Sequence, residues 1–495
     1  MRLNASVYYG LYRPSPCDLR VYLRSTGVEE GKRSPYEEVL IELGQWYEKK
    51  HLAQLGDHVD LSNGNEDERV HRTIEHVRRG DRVLYQPTFR VEEKLGGSPC
   101  IVVGQPDFLI REGDEYVIRD VKLSRRITEK DHPEILLQLG LYGWLYEHSF
   151  RSRPKRLEVL AGTGSLEPVP FDATRAALAE AERVLSVITA TSEPFSPVGW
   201  TKCGSCGFSG RCWTSAVERM DVAIVPSVDQ GLARALRGDG VSTIGELLER
   251  FDEEKLSQVE RPWGTRKQRV GKAAAKILRS ARALATGKDE LLQSPSIPDS
   301  PNYVMFDLEG LPPQLDELDK IYLWGVQVFG KDPSPYGGVA AGFGANGDRE
   351  GWEAFLANAR SLLNKYGDIP FVHWHHYEKT HLNKYIERHG DPDGVAGRVR
   401  NNLVDLLPIT QESIALPLPS YSLKVVEEYV GYKRTQDEYG GQWAMAKFIR
   451  ATETSNQVER AEIVDSILKY NEEDLAATWA VLEWLRNKGK AAAIQ

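Results

Sequence analysis

Long apolar runs are missing from this chain of 495 residues. No stretch approaches the roughly 18 residues that a membrane-spanning helix needs, so no membrane partner is expected. The opening stretch MRLNASVYYG lacks the charged-then-apolar order of a secretory leader, and the expected location is cytoplasmic. Cysteine is scarce. Five thiols in a cytoplasmic chain argue against a disulfide framework and leave metal ligands or buried thiols. An excess of positive charge is also absent: 63 Lys and Arg face 72 Asp and Glu, a formal net charge of −9, which argues against coating nucleic acid by bulk charge but allows a locally basic groove. There is no phosphate-cradling GxxxxGK[ST] loop, because RVGKAAAK lacks both the earlier Gly and the hydroxyl residue, so any strand unwinding would need a separate helicase. No tandem repeat is visible.

What is present is the composition of a globular protein, 41% hydrophobic and 27% charged, in a chain long enough for two or three domains. The Ser- and Pro-rich stretch LLQSPSIPDSPNY reads as a linker near residue 297. Residues 1–218 mix helices with a central hairpin, 219–292 look helical, 293–302 link, and 303–495 begin with strand-like YVMFDLEG and IYLWGVQVFG before helical segments, an α/β pattern. Basic residues gather in RSRPKR (151–156) and in RPWGTRKQRVGKAAAKILRSARA (261–283), where solvated helix faces are as good an explanation as a binding surface.

The runs CIVVGQPDFLI and EYVIRDVKL flank REGDE, in which Gly113-Asp114 suits a two-residue hairpin turn. That turn pairs Glu112 with Glu115 and, counting outward, sets Asp107 opposite Asp120, about 5 Å away, with Lys122 on the same face. Two carboxylates that close repel unless a cation lies between them. The arrangement suits hydrolysis of a phosphodiester with Mg²⁺ or Mn²⁺ held by the acids and the Lys122 ammonium near the phosphate; the bland alternative is an exposed ion pair on a hairpin. A preceding helix offers Glu48, with His51 close by, and a following helix carries Gln138 and Tyr142 on one face.

In this order the motifs resemble the RecB-type branch of the PD-(D/E)XK nucleases: an acidic or His-bearing helix, Pro106-Asp107, Asp120-Val121-Lys122, then Gln138-x-x-x-Tyr142. The family's first-helix His is not clearly matched, and Glu48 stands where that helix should contribute. The resemblance implies catalytic roles for Asp107, Asp120, Lys122, Gln138, Tyr142 and Glu48. KCGSCGFSGRC supplies Cys203, Cys206 and Cys212 on a Gly-rich loop. RecB-type nucleases such as AddB and the CRISPR-associated exonucleases carry one cysteine before the core and three after it, which implies Cys17 as the fourth ligand of a [4Fe–4S] cluster, with Zn²⁺ as the alternative. Cys100, in an apolar strand, reads as a buried thiol.

Beyond the linker, Asp307 and Glu309 share one strand face, Glu378 follows in HYEKTHL, and Tyr470 and Asp474 lie one helical turn apart. This order resembles the DEDD exonucleases of the ribonuclease-H-like fold, implying that Asp307, Glu309, Glu378 and Asp474 hold metal and Tyr470 positions water. Glu378 departs from the family's usual Asp; Asp405 is an alternative, while His373, His375 and His376 read as packing residues. LARALRGDGVSTIGELL is compatible with a helix-hairpin-helix in which the Gly238–Gly240 turn grips a phosphate, or with a plain spacer.

The expected fold is therefore α/β and multidomain: a restriction-endonuclease-like PD-(D/E)XK domain, a small helix-hairpin-helix-like middle and a ribonuclease-H-like domain. The expected activity is metal-dependent hydrolysis of DNA, or RNA, at single strands or duplex ends, in repair, recombination or defence. The alternative is a non-catalytic nucleic-acid-binding subunit of a helicase or nuclease complex.

Overall fold

In the computed structural model, residues 1–32, 35–263, 266–311, 319–340, 346–436 and 440–494 are described. They separate into two compact units, one formed by Met1–Ser196 with Thr201–Gly210 and the other by Pro197–Trp200 with Arg211–Gln495.

The first unit is built on a six-stranded mixed sheet. Its strands run, in spatial order, Val59–Asp60, Val83–Tyr85, Phe108–Glu112, Glu115–Val121, Arg156–Leu160 and Leu166–Val169. At its centre the Phe108–Glu112 and Glu115–Val121 strands form the expected hairpin, with Glu112 opposite Glu115 and Phe108 opposite Arg119. Gly113 in the turn has φ +70°, a left-handed value that glycine adopts without strain and that a two-residue hairpin loop demands. One face of the sheet packs against the helix Pro133–Phe150, whose Leu139, Leu141 and Leu145 are fully buried. That helix is apolar nearly all round, as a helix covered on both sides must be. It also packs against the helix Ala173–Ile188, and Gly140 makes the approach feasible, since a Cβ there would sit 2.4 Å from the Ala173 carbonyl oxygen. The opposite sheet face, with Val83, Phe108, Ile110, Val121 and Leu160, is covered by Tyr47, Leu52 and Leu55 of the helix Pro35–Leu55.

The second unit contains a five-stranded sheet in the order Val339–Ala340, Ile321–Gly330, Asn302–Gly310, Phe371–His373 and Leu403–Asp405; the first two pairings are antiparallel and the last two parallel. The 38-residue helix Gln457–Ile494 packs on its long central strands. The helices Gln230–Gly238, Ile244–Arg250, Glu253–Gln258 and Ala273–Thr286 precede it. The second of these is capped by Thr243, with Thr243 and Glu246 completing a capping box. This helical segment shares a unit with the five-stranded sheet: Glu290–Leu291 pairs as a short strand with Ile414–Ala415, and Lys276 Nζ donates to Gln411 Oε1 at 2.7 Å. Among the described residues, no helix is long and apolar enough to cross a membrane.

Candidate active sites

The hairpin register delivers the first site. Continued one step past Phe108 and Arg119, it brings Asp107 to Asp120, and the backbone N–H of Asp107 donates to Asp120 Oδ1 at 3.0 Å. Reciprocally, the N–H of Val121 donates to Asp107 Oδ2 at 2.7 Å. Lys122, just past the strand end, turns to the same face as Asp120 and places Nζ 2.7 Å from Asp120 Oδ2. Asp120 is buried, whereas the Lys122 side chain retains 27% exposure.

Electrostatics follow from the geometry. Burial, then the charge of Asp120, push the Asp107 carboxyl well above the ordinary carboxylate range, although Lys122 pulls the other way. Burial alone would lower the Lys122 ammonium, but the attraction of Asp120 and then Asp107 outweighs it and the net shift is upward. Tyr142 donates to the Gln105 carbonyl and receives a hydrogen bond from Gln138 Nε2, each at 3.0 Å. Its hydroxyl is raised by burial and then by the two aspartates. The pair thus pins the backbone segment leading into Pro106-Asp107.

Glu48 reaches the site through a residue that sequence reasoning missed. Gln86 Nε2 donates to Glu48 Oε1 at 2.5 Å and lies 3.3 Å from Asp107 Oδ1, while its Oε1 accepts from Gln105 Nε2 at 2.8 Å. The Gln86 backbone, immediately before Pro87, has φ +55°, a conformation costly for a residue with a Cβ and one that accumulates at functional sites. His51 turns elsewhere: its Nε2 lies 3.0 Å from Arg119 Nη1, and Arg119 pairs with Glu158.

The second site is a tighter knot of acids. Asp307, Glu309 and Asp474 are, among the described residues, the one group of three or more His, Cys, Asp or Glu side chains whose ligand atoms all lie within 4.8 Å of one another. Alternation along the Asn302–Gly310 strand puts Asp307 and Glu309 on one face, and the Gln457–Ile494 helix lays Asp474 across them. Burial and then Asp474 raise the Glu309 carboxyl to about 8, and Asp307 is also raised well above its usual range, by burial, Asp474 and Glu309 in that order. Tyr470 is buried within hydrogen-bonding reach of both Glu309 and Asp474.

Glu378 is close enough to raise the Asp307 carboxyl but lies outside that knot. It is buried with His373, whose Nδ1 is 3.1 Å from Glu378 Oε2. Asp405 is committed to structure: its Oδ1 accepts from the N–H groups of His375 at 2.9 Å and Leu407 at 3.1 Å, capping the Leu406–Ser413 helix. Two residues here carried no recognised signal. Asn471 Nδ2 donates to Asp307 Oδ2 at 2.6 Å, and Arg434, buried, bonds Asp474 while pairing with Glu427 at 2.6 Å. The spacing Asn471 to Asp474, i and i+3 on a helix, was sufficient to find the first; for Arg434 nothing local distinguishes it.

Carboxylate oxygens facing one another are the donor set that suits a hard divalent cation, and at each site a buried acid, Asp120 or Asp474, faces half-buried partners. At the first site the Gln86 amide stands between Glu48 and Asp107, donating to Glu48 Oε1 at 2.5 Å and lying 3.3 Å from Asp107 Oδ1.

The cysteines are half-buried except for Cys100, which is buried as expected, and none is in a disulfide. Among the described residues, the Cys17, Cys203, Cys206 and Cys212 thiols are not gathered into one ligand cluster. Cys203 and Cys206 are linked by a turn, N–H of Cys206 to O of Cys203 at 3.0 Å, and the buried Arg20 places Nη1 3.9 Å from Cys206 Sγ. Gly238 ends its helix, and Gly240 holds the following turn with φ +77°.

Residues 20–213 match the family profile of the PD-(D/E)XK nuclease superfamily, and residues 304–486 match that of the RNase_H superfamily. The chain carries a PD-(D/E)XK domain and an RNase H-like domain. The Asp107–Asp120–Lys122 site lies within the PD-(D/E)XK match, and the Asp307–Glu309–Asp474 knot within the RNase H-like one. Among solved structures the chain is similar to the protein SSO0001, at 18% identity over 35% of this chain and 96% of that one with a TM-score of 0.20. It is also similar to a candidate exonuclease from Eubacterium rectale, at 17% identity over 39% and 83% with a TM-score of 0.26. At these TM-scores neither likeness bears on activity. No curated protein matches the chain.

Proposed function

We propose that the chain is a metal-dependent nuclease that hydrolyses phosphodiester bonds in DNA, with its principal centre in the PD-(D/E)XK domain. The observation that carries this reading is the juxtaposition of Asp107 and Asp120 with the Lys122 ammonium 2.7 Å from Asp120 on the same face. Asp107 and Asp120 would hold Mg²⁺ or Mn²⁺, which when bound lowers the pKa of a coordinated water and draws charge from the phosphate. Lys122 is poised to neutralise the phosphate oxygens as negative charge builds on them. Glu48, tethered through Gln86, completes the acidic wall, while Gln138 and Tyr142 hold the Gln105 carbonyl and so the position of Asp107.

In the RNase H-like domain, Asp307, Glu309 and Asp474 would hold a second divalent centre, with Glu378 behind Asp307 and Tyr470 orienting water; this site is a 3′→5′ exonuclease or a nucleic-acid clamp. Cys17, Cys203, Cys206 and Cys212 are proposed ligands of a [4Fe–4S] cluster or Zn²⁺ that braces the first domain, and the Gly238–Gly240 turn a phosphate contact. The roles divide along 1–218, 219–292, 293–302 and 303–495, and a separate helicase in repair, recombination or defence is the partner this chemistry would use.

Cleavage of end-labelled single-stranded and duplex DNA with Mg²⁺ or Mn²⁺, by wild type, Asp120→Ala, Asp307→Ala and the double variant, tests the proposal. Metal-dependent cleavage that falls on the order of 10²-fold or more with Asp120→Ala is expected. Wild type that leaves every substrate intact would favour a purely nucleic-acid-binding subunit instead.

A further inference from the structure

Residues 261–288 carry nine Lys and Arg and no Asp or Glu, in a chain whose net charge is −9. The acids stop abruptly at its borders, with Glu253, Glu254 and Glu260 before it and Asp289 and Glu290 after. The structure shows what this segment builds. Glu260–Trp263 and Arg266–Arg269 form an antiparallel two-stranded ribbon, and all four residues of the second strand, Arg266, Lys267, Gln268 and Arg269, are exposed. Side chains on successive strand positions point to opposite faces, so this strand is polar on both and has no apolar face to bury. Two-stranded ribbons are marginal by themselves. The first strand of this one is anchored where Arg261 pairs with Asp229 and where Gly231 lets the Pro262 carbonyl approach so closely that a Cβ would sit 2.9 Å from it.

Among the described residues, Arg266, Lys267, Lys272, Arg279 and Arg282 have no ion-pair partner. Arg269 has a long, exposed contact to Glu260 at 3.6 Å and a hydrogen bond to Gln258 at 3.1 Å, interactions worth little in water. The ribbon runs directly into the helix Ala273–Thr286, which buries Ala274, Ile277, Leu278 and Ala281 and leaves Lys272 and Arg282 exposed. A fold that gathers like charges on a strand contributing nothing to a core accepts mutual repulsion that a polyanion would relieve.

We infer that Arg266, Lys267 and Arg269 of the ribbon, continued by Lys272, Arg279 and Arg282, form a docking surface for a nucleic-acid backbone. The inference rests on the nuclease reading above and adds a source of affinity remote in sequence from either carboxylate site. Because the contacts are to phosphates, binding there is insensitive to sequence and strongly dependent on salt.

The test uses the full chain in EDTA, so that nothing is cleaved, with fluorescence anisotropy of labelled single-stranded and duplex DNA across a salt series. Wild type is compared with Arg266→Glu/Lys267→Glu/Arg269→Glu and with the milder triple Gln variant; circular dichroism checks that both fold. Each lost phosphate contact removes about 0.7–0.9 from the slope of log K against log salt, so both variants should lower it by roughly 2 and weaken binding about 10-fold or more at low salt. Wild-type affinity and slope in the folded variants would overturn the docking surface while leaving the nuclease reading intact. So would metal-dependent cleavage by a wild type with no measurable affinity in EDTA, or variants that lose binding to anionic phospholipid vesicles but not to DNA. Absence of both binding and cleavage in wild type would remove the nuclease reading as well.

Discussion

At the scale of single residues, both sites place acids where their charges conflict and then tether each with a donor. Gln86 is the clearest case, since its amide spans Glu48 and Asp107 from a left-handed backbone. Gln86→Ala should leave the fold in place and lower cleavage about 10-fold or more through misplacement of Asp107, measured as a fall in kcat with little change in KM. Arg434 plays the reverse part, since its guanidinium bonds the Asp474 carboxylate that a metal would use. Arg434→Gln should therefore tighten Mn²⁺ at the second site, as read by calorimetry on an Asp120→Ala background, and equal or weaker binding would show that Arg434 aids the site. Protonation gives a further handle. Glu309 has a raised carboxyl, about 8 against an ordinary 4.5, so between these values the folded chain holds a proton that the unfolded chain has released. Stability of the metal-free protein should accordingly fall as pH rises from about 5 to about 8, with added Mn²⁺ raising Tm more at the upper end than at the lower.

At the scale of elements, glycines decide whether the sites can be assembled. A Cβ on Gly325 would lie 1.8 Å from Asn471 Oδ1, the amide that holds Asp307, so Gly325→Ala should displace Asn471 and impair metal binding at the second site while sparing cleavage by the first. Gly140→Ala acts on packing instead: the helix Pro133–Phe150 must move off Ala173, and destabilisation of about 1–3 kcal/mol is expected from denaturant unfolding. The hairpin was legible in the sequence because a Gly-Asp turn fixes the register of everything outward from it, and Asp107 opposite Asp120 followed by counting. Asp307 and Glu309 were legible for a similar reason, a period of two on an apolar strand. Gln86 and Arg434 were not legible, because the acids they hold, Asp107 and Asp474, lie 21 and 40 residues away in sequence, and although Asn471 is one turn from Asp474, the Asp307 it holds is 164 residues away.

At the scale of the whole molecule, the order of motifs along the chain agrees with two family matches that together span most of it, residues 20–213 and 304–486. Cys203, Cys206 and Cys212 fall within the first match and Cys17 just before it. Protein purified without oxygen is expected to be brown and to contain iron with acid-labile sulfide, both lost in Cys206→Ser; a colourless protein holding stoichiometric zinc would assign the thiolates to Zn²⁺. The central proposal is simpler, that the acids facing one another in each domain hold a divalent cation between them. Crystals grown with Mn²⁺ and measured for anomalous scattering test it most directly. Peaks bridging Asp107 and Asp120 in one domain and Asp307, Glu309 and Asp474 in the other are expected, whereas fully ordered carboxylates with no peak between them at saturating Mn²⁺ would contradict it.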